Sequence, residues 1–555
     1  MAWYDEAVFY HIYPLGLTGA PKQNYYGKPE HRLNTLVPWI DHIRKLGVNA
    51  LYIGPLFESV GHGYETTDYR KLDSRLGTNE DLTDFVKKCH ASGIKVILDG
   101  VFNHTGRDFF AFKDLKEKRE ASGYRDWYCN VNFGGNNEYN DGFSYDNWGG
   151  YNLLVKLNQR NPAVRDYICD VIRFWVKEFD IDGIRLDAAD VLDFDFMKDL
   201  RRTADDVKPD FWLMGEVIHG DYSRWANENT LHSVTNYTLH KGLYSGMNDH
   251  NFFEIAHTVK RTNDMVPSHI KLYNFVDNHD VERISSKLIN KAHFTPVHIL
   301  LFTLPGVPSI YYGSEFGIEG KKERFSDDSL RPYIDISEHR DDIKNNPCTK
   351  LIAALAGVRR EYREDLSWGD YRELCLTNRQ FAFGRGRLLI AANNDDNESS
   401  VDVPAADGEY KGLLYGGRLI ASGGRLNIPL PPNDGEIYAP ADDGKKTGKT
   451  LTHVISEEKK PVKEEKPVKE EPVKEEKPVK EEPVKEEKPV KKEKPVKEEK
   501  TVIPDIPYEE MTVEQLQAVI LQKMAKNGPV TDQMRRDVEN NIWKDSLINW
   551  AKSFR

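Results

Sequence analysis

The segment that decides the fold of this chain is Gly183-Ile184-Arg185-Leu186-Asp187-Ala188-Ala189-Asp190. Its apolar and charged residues alternate up to Asp187, which is the two-residue period of a short β-strand. Arg185 and Asp187 therefore share one face of that strand. Before it, residues 164–179 have the apolar spacing of an amphipathic helix, so the segment is predicted to be one helix–strand unit.

Three further stretches have the same form, an apolar run that ends in polar residues. They are Lys95-Val-Ile-Leu-Asp99-Gly-Val-Phe-Asn103-His104, Phe211-Trp-Leu-Met-Gly-Glu216 and Leu272-Tyr-Asn-Phe-Val-Asp277-Asn278-His279-Asp280. One such stretch would be ordinary, but four in this order, separated by helical spacing, predict the alternating strands and helices of a parallel barrel. In such a barrel the chemistry takes place at the C-terminal ends of the strands.

These four motifs resemble those of the α-amylase family, glycoside hydrolase family 13, over about residues 1–440. Within the family, Lys156-Leu-Asn158, Gly215-Glu-Val217 and Asn236-Tyr237 are most similar to cyclomaltodextrinases, neopullulanases and maltogenic amylases. The resemblance implies a (β/α)8 TIM barrel with a small domain inserted after the third strand and a C-terminal antiparallel β domain. The first strand is expected so early, at 7–13, that the N-terminal starch-binding domain of these relatives is not expected.

Composition changes along the chain predict four parts. Residues 1–365 would form the catalytic barrel, with the inserted subdomain at about 105–155, and residues 366–440 the antiparallel β domain. Residues 441–507 contain a repeated Pro-Val-Lys-Glu-Glu motif, whose charge and Pro content predict a disordered, extended linker. Residues 508–555 have two helical patterns and predict a small helical hairpin.

The sequence allows several roles for the predicted hairpin. A pair of helices this short is rarely robust alone, so it should pack on itself, self-associate or dock on a protein or a glucan. Trp543 and Trp550 lie seven residues apart and hence on one helix face. They would form the hairpin's own core in the simplest interpretation, and a docking surface in the alternative one.

Charge and composition exclude several classes of protein. The net charge of −12 gives no support for nucleic-acid binding. The five cysteines are scattered, show no zinc-binding spacing and are typical of a reducing compartment. We see no signal peptide and no apolar run near the ~20 residues needed to span a bilayer. We therefore expect a cytoplasmic protein with neither nucleic acid nor membrane as partner.

The resemblance implies three catalytic carboxylates. A retaining glycosidase needs two carboxyl groups about 5–5.5 Å apart. Asp187 and Glu216 can supply them from neighbouring strand ends, as nucleophile and general acid/base, and Asp280 matches the family's third carboxylate, which binds sugar hydroxyls. Arg185 should keep Asp187 ionised, whereas the nearby negative charges should help Glu216 to hold a proton.

Four further residues match sugar-binding positions of the family. His62 and Tyr64, in the loop after the second strand, imply contacts with the sugar on the non-leaving side of the cleaved bond. The alternative there is an ordinary turn with a packed Tyr. His104 and His279 imply hydrogen bonds to hydroxyls of the same sugar, and Asp99 is expected to orient its neighbours.

One departure from the family concerns the metal. Calcium-dependent members carry a metal-ligating His four residues past the nucleophile, where this chain has Val191. Asn103, which matches another ligand, is retained. We predict that no cofactor is required and that calcium, if it binds, is not obligatory.

The expected activity is retaining hydrolysis of α-1,4 bonds in maltodextrins or cyclodextrins, with α-1,6 bonds as a further target. An α-glucosidase or a transglycosylase would use the same residues and differ in the competition between water and sugar acceptors. A non-catalytic glucan-binding scaffold is a third interpretation, against which the three intact carboxylates argue.

Overall fold

Eight parallel strands form a closed barrel in the computed structural model, which describes residues 2–323, 326–445, 451 and 513–527. The strands are β1 Phe9–Ile12, β2 Ala50–Ile53, β3 Lys95–Gly100, β4 Gly183–Leu186, β5 Trp212–Gly215, β6 Ser233–Val234, β7 Tyr273–Phe275 and β8 Val307–Tyr311. Their order in the sheet is β6-β5-β4-β3-β2-β1-β8-β7. A parallel bridge between Thr235 and Tyr273 joins β6 to β7 and closes the ring. The predicted TIM barrel is confirmed.

The inside of the barrel is filled by side chains and holds no channel. Phe9 of β1 stacks on Trp212 of β5 with ring centroids 5.0 Å apart, and Tyr273 of β7 packs edge-on against Phe9 at 5.5 Å. These residues belong to one buried cluster that also contains Ala50, Ile97 and Val307. Such a packed interior holds the strands at one register, and with them the side chains at the strand ends.

Helices connect the strands and pack on the outside of the barrel. The main ones are α1 Val37–Leu46, α2 Asn79–Ala91, α3 Pro162–Phe179, α4 Phe194–Val207, α5 Tyr237–Asn248, α6 Phe252–Met265, α7 Phe294–Thr303 and α8 Pro347–Glu361. The helix before β4 begins where Asn161 accepts a hydrogen bond from the Ala163 amide and ends at Asp180 in a left-handed conformation. Both ends are therefore determined by local sequence.

Shorter helices lie in the connections, at Pro14–Leu17, Phe110–Lys118, Ile284–Lys287, Asp342–Asn345 and Arg363–Trp368. Residues 104–156 leave the barrel between β3 and α3. Their three-stranded sheet consists of His104–Thr105, Asn147–Trp148 and Tyr151–Lys156. A two-stranded ribbon, Phe57–Ser59 and Thr66–Leu72, follows β2. These segments stand above the strand ends and build the walls of the cleft described below.

The sequence predicts a sixth strand near 233–237, and the strand in the structure is shorter than this. The structure has a strand of two residues there, and helix α5 begins at Tyr237. The side chain of Asn236 accepts a hydrogen bond from the Leu239 amide and so caps the helix. A capping residue next to a short apolar run therefore shortened the strand.

The strands between residues 371 and 440 form antiparallel sheets. They are β9 Tyr371–Leu376, β10 Gln380–Arg385, β11 Leu388–Asn393, β12 Ser399–Pro404, β13 Gly408–Gly412, β14 Arg418–Ala421, β15 Arg425–Leu430 and β16 Gly435–Pro440. Six of them pair in the order β9-β10-β11-β16-β13-β14, and β12 pairs with β15. The predicted C-terminal antiparallel β domain is confirmed.

The remaining predictions concern the end of the chain. A helix at Val513–Asn527 lies in the second unit of the chain, 459–555, and it buries Leu516, Val519 and Ile520 on one face. Most of the predicted linker, and the second helix of the hairpin with Trp543 and Trp550, lie outside the described residues. The described start of that linker contacts the β domain, where the Ala441 amide donates to the Glu409 carbonyl at 2.8 Å and the Leu451 amide to the Leu414 carbonyl at 2.6 Å. No helix in the described ranges is long and apolar enough to cross a membrane.

Candidate active site

The ends of β4 and β5 bring two carboxyl groups together. In the register of the sheet Leu186 lies opposite Gly215, and each strand continues directly into its carboxylate residue. The Glu216 amide donates to the Leu186 carbonyl at 2.9 Å, and the Asp187 amide donates to the Gly100 carbonyl of β3 at 3.1 Å. Backbone pairing alone therefore makes Asp187 and Glu216 neighbours.

Arg185 connects the carboxylates of three strands. Its Nη1 donates to Asp99 Oδ1 at 2.8 Å and to Asp187 Oδ1 at 2.9 Å. Its Nη2 lies 2.8 Å from Glu216 Oε2. Because the guanidinium is buried and its geometry is planar, it holds these carboxyl groups at defined positions.

Burial is the largest influence on Asp187. It raises the pKa of Asp187 well above the usual value, and the negative charges of Glu216, Asp99 and Asp280 act in the same direction. Arg185 lowers this pKa, as predicted, but its effect is smaller than that of burial. The structure thus differs from the expectation that Arg185 determines the charge state of Asp187.

Asp280 has the opposite environment. Its Oδ2 lies 2.9 Å from His279 Nε2, and its Oδ1 accepts a hydrogen bond from Arg331 Nη2 at 2.8 Å. Burial raises its pKa, but the charges of His279 and Arg331 outweigh that effect and hold the pKa below the usual range. Asp280 therefore stays ionised beside an Asp187 that burial pushes towards the neutral form.

Six of the eight predicted site residues line one cleft of about 890 Å³, namely His62, Tyr64, His104, Asp187, Glu216 and Asp280. The other two, Arg185 and His279, are almost fully buried behind it, with 3% and 2% of their surfaces exposed. His279 Nε2 contacts both Asp280 and the Tyr64 hydroxyl. Its Nε2 therefore already has two partners within the protein, and the predicted hydrogen bond from His279 to a sugar hydroxyl stays a prediction.

Burial favours the neutral form of the two histidines that line the cleft, His62 and His104. His104 Nε2 lies 3.1 Å from the Tyr64 carbonyl, and burial lowers the pKa of His104 to about 3. Burial also lowers the pKa of His62, although Glu65, 3.1 Å from its Nε2, opposes this. A neutral imidazole can both donate and accept, which suits sugar hydroxyls.

Two residues at the site were missed by the sequence analysis. The Tyr237 hydroxyl donates to Glu216 Oε1 at 3.2 Å and accepts from Asn278 Nδ2 at 3.1 Å. Arg331, in the irregular segment after β8, reaches Asp280 and lies 4.7 Å from the centroid of the Tyr13 ring. Tyr237 belongs to the pair Asn236-Tyr237, which indicated only the subgroup of the family. Arg331 lies in no motif or periodic segment of the sequence.

At the position of the family's calcium site, the side chain of Asn103 already has partners within the protein. Asn103 is fully buried, its Oδ1 accepts from Gln159 Nε2 at 3.3 Å, and its Nδ2 lies 3.2 Å from His104 Nδ1. Val191 presents an apolar side chain. In the described part of the chain no group of three or more His, Cys, Asp or Glu residues could hold a metal ion.

We accordingly expect EDTA to leave the melting temperature and the turnover rate unchanged, since Val191 supplies no ligand. The measurement is differential scanning fluorimetry and an activity assay before and after exhaustive dialysis. Val191→His is the matched variant that restores the missing imidazole. A melting temperature that falls on chelation and recovers with Ca²⁺ would contradict the expectation.

Comparison with known proteins supports the geometry. The family model described as "Alpha amylase, catalytic domain" matches residues 32–380. The chain belongs to the α-amylase family. It is 31% identical over 468 residues to a cyclomaltodextrinase of Thermoanaerobacter pseudethanolicus, covering 78% of each chain. It is 33% identical over 469 residues to neopullulanase 2 of Thermoactinomyces vulgaris, again with 78% of each covered.

Solved structures of α-amylase family members agree. A structure titled "Cyclomaltodextrinase" superposes with a TM-score of 0.70 at 26% identity, covering 79% of this chain and 78% of that one. An Anoxybacillus α-amylase superposes with a TM-score of 0.67 at 26% identity, covering 81% of this chain and all of the other. The protein is thus a glycoside hydrolase with the family's barrel and β domain.

Proposed function

We propose that this glycosidase cleaves α-1,4-glucosidic bonds of maltodextrins and cyclodextrins with retention of anomeric configuration. The observation that carries the proposal is the pair Asp187 and Glu216, adjacent at the ends of β4 and β5 and open to a cleft of about 890 Å³. Relatives named cyclomaltodextrinase and maltogenic α-amylase support the substrate class, and neopullulanase 2 supports α-1,6 bonds as a second target.

In the proposed mechanism the ionised carboxylate of Asp187, which the hydrogen bond from Arg185 favours against the effect of burial, attacks the anomeric carbon and forms a covalent glycosyl ester. Glu216 gives its proton to the leaving oxygen in this first step. In the second step Glu216, now ionised, takes a proton from water, and the water attacks the anomeric carbon from the face that the leaving group vacated, opposite Asp187, which departs as a carboxylate. The two inversions together give retention.

The surrounding residues position the sugar and the two carboxyl groups. Asp280, held ionised by His279 and Arg331, would accept hydrogen bonds from two hydroxyls of the sugar that reacts. The Tyr64 ring, on the cleft wall, supports a stacking contact with the same sugar. Tyr237 donates to Glu216 and is placed to orient its proton.

The test is a product time course with maltoheptaose, β-cyclodextrin and pullulan. We expect ring opening of the cyclodextrin and release of panose from pullulan. Cleavage of maltoheptaose alone would favour a plain maltodextrin-acting amylase or α-glucosidase, and longer products from maltoheptaose would favour the transglycosylase alternative. No turnover of any of the three would contradict the proposal and favour the glucan-binding scaffold.

Deleting residues 456–555 should leave activity on small oligosaccharides unchanged within about twofold. The reason is that every residue of the proposed site belongs to the first unit of the chain, 1–458. A matched deletion of the repeat 457–500 alone separates the effect of the linker from that of the helical tail. Loss of activity in a folded truncation would show that the tail completes the site or an assembly that it needs.

Two finer assignments belong to the same proposal. We place the enzyme in the cytoplasm, in line with the intracellular maltogenic amylase of Bacillus subtilis, to which it is 29% identical over 341 residues. We assign the tail, 508–555, to self-association or docking on a protein or glucan. Sedimentation of the full chain and of the truncation, with and without maltodextrin, distinguishes these roles.

A further inference from the structure

A second crevice, of about 230 Å³, lies where β7 and β8 begin, which is the end of the barrel away from the catalytic carboxylates. One wall comes from the segments that lead into these two strands, Lys271–Leu272 and Pro305–Gly306. The other wall comes from the connection to the β domain and from β10. None of the residues proposed for catalysis lines it.

Three basic side chains meet at this crevice. Lys271 and Arg385 line it, and Arg359 reaches the Gly306 carbonyl on its wall with Nη2 at 2.6 Å. Arg359 and Arg385 are 1% and 2% exposed. Within the described residues neither arginine forms a salt bridge, so two buried positive charges lack a carboxylate partner.

Both arginines instead contact helix ends. Arg359 Nη1 donates to the Phe302 carbonyl at 2.8 Å, and Arg385 Nη1 donates to the Thr303 carbonyl at 2.7 Å, both at the C-terminal end of α7. A helix C-terminus carries only about half a negative charge. Arg385 also donates to the Leu366 carbonyl of helix Arg363–Trp368. The two helix ends together therefore offset roughly one of the two positive charges of Arg359 and Arg385.

The three cations repel one another. Burial and the charge of Arg385 lower the pKa of Arg359 to about 9. Burial lowers the pKa of Lys271, and both arginines add to that effect. A buried positive charge without a negative partner is costly, so an anion placed here would stabilise the folded protein.

The nearby carboxylates are engaged elsewhere. Asp365 pairs with Arg387 at 2.7 Å. Asp370 itself lines the crevice and acts on Arg385 through its charge, but its carboxylate is hydrogen-bonded to Arg372. Asp5 accepts a hydrogen bond from the Ala2 amide, and burial raises its pKa. These groups therefore leave a net positive charge at the crevice.

Unused donors point to the same conclusion. Tyr371 lines the crevice, and its hydroxyl is buried and has no hydrogen-bond partner among the described residues. In the same part of the chain, Nε of Arg359 is also buried without a partner. Buried polar groups are normally satisfied, so a hydroxyl without a partner beside a cavity indicates a ligand or bound water.

We propose that this crevice binds a phosphate-type oxyanion, either inorganic phosphate or the phosphate group of a small monoester, through Lys271, Tyr371 and Arg385. A tetrahedral dianion offers several acceptor oxygens to ammonium, hydroxyl and guanidinium donors, which a halide cannot do. The volume corresponds to about eight water molecules at ~30 Å³ each, so it has room for a group attached to the phosphate. Trp368, 38% exposed, forms an apolar wall for that group.

The experiment is a thermal melt of the full chain at pH 7 in phosphate or in chloride of equal ionic strength, followed by calorimetric titration. Phosphate should raise the melting temperature in a saturable way, since it binds the folded state. Lys271→Met should weaken phosphate binding about tenfold to a hundredfold by removing a charge-assisted contact. Tyr371→Phe keeps the ring and should weaken it less.

Lys260→Met is the matched control, because Lys260 is an exposed lysine of α6 that does not line the crevice. It should bind phosphate like the unmodified chain. Equal melting temperatures in phosphate and chloride, or equal phosphate binding by all variants, would overturn the proposal. Tighter binding of glucose 6-phosphate than of inorganic phosphate would identify a monoester as the ligand, and the reverse would identify free phosphate. Neither readout depends on catalytic activity.

Discussion

Asp187→Asn should lower the turnover of maltoheptaose by roughly 10⁴-fold or more, because an amide cannot form the glycosyl ester. The loss should appear in kcat on all three glucan substrates, since every bond type passes through the same intermediate. Binding of maltodextrin should persist, because the Tyr64 wall and Asp280 remain in the cleft. The measurement is initial rate by product chromatography, with affinity by calorimetry.

The same variant should melt no lower than the unmodified chain at pH 7. Burial raises the pKa of Asp187 in the folded state above its unfolded value of ~3.9, so ionisation at this position opposes folding. The destabilisation is absent below about pH 3.9 and grows as pH rises towards the raised folded pKa. Asn does not ionise, so any gain in stability should shrink on going from pH 7 to about pH 4.

Asp205→Asn is the matched control for Asp187→Asn. Asp205 lies on the exposed part of α4, the helix that follows β4, where it pairs with Arg201. It should change neither turnover nor the pH dependence of melting. Substantial hydrolysis by a verified Asp187→Asn preparation would refute the assignment of the nucleophile. A large drop in melting temperature at pH 7 would show that the pair with Arg185 outweighs the burial of Asp187.

Glu216→Gln should lower kcat on maltoheptaose by about 10²- to 10⁴-fold, the usual contribution of a general acid. The loss should be much smaller for the first step with α-maltosyl fluoride, because fluoride leaves without protonation. Azide should then accelerate turnover and give an α-maltosyl azide, since azide attacks the glycosyl ester without a general base. The readouts are fluoride release and product analysis.

The control is Glu228→Gln, an exposed glutamate that lies 3.0 Å from His269. It should behave as the unmodified chain with every substrate. An equal loss on maltoheptaose and on α-maltosyl fluoride, with no response to azide, would count against Glu216 as the acid/base. The hydrogen bond from Tyr237 to Glu216 would then stabilise the fold at this position rather than orient a catalytic proton.

Much of the candidate site follows from local sequence. Asp187, Glu216 and Asp280 each end or follow an apolar run in a quoted motif, and the structure places all three in one cleft. Their position at strand ends could be predicted because side-chain alternation along a strand and polar residues at its end are short-range properties. The helical spacing of residues 194–207 is likewise a local property, and the structure has α4 over that range.

Other contacts could not be predicted, because they depend on which distant segments meet. Arg331 contacts Asp280, from which it is separated by 51 residues in the sequence. The segment around Arg331 has no periodicity or motif that predicts this contact. The contact between Arg185 and Glu216 depends on the register of β4 against β5. Lys271, Arg359 and Arg385 are scattered in sequence and meet only where the barrel joins the β domain.

The sequence by itself predicted the barrel and the order of its strands along the chain, because these follow from local periodicity and short motifs, and the resemblance of those motifs to the α-amylase family indicated the three carboxylates. Only the tertiary structure decided the electrostatics of the site. Sequence spacing correctly placed Arg185 beside Asp187 and gave the sign of its effect. Burial, which comes from closure of the barrel and the loops above it, raises the pKa of Asp187, whereas the contacts of Asp280 with His279 and Arg331 outweigh burial and lower the pKa of Asp280.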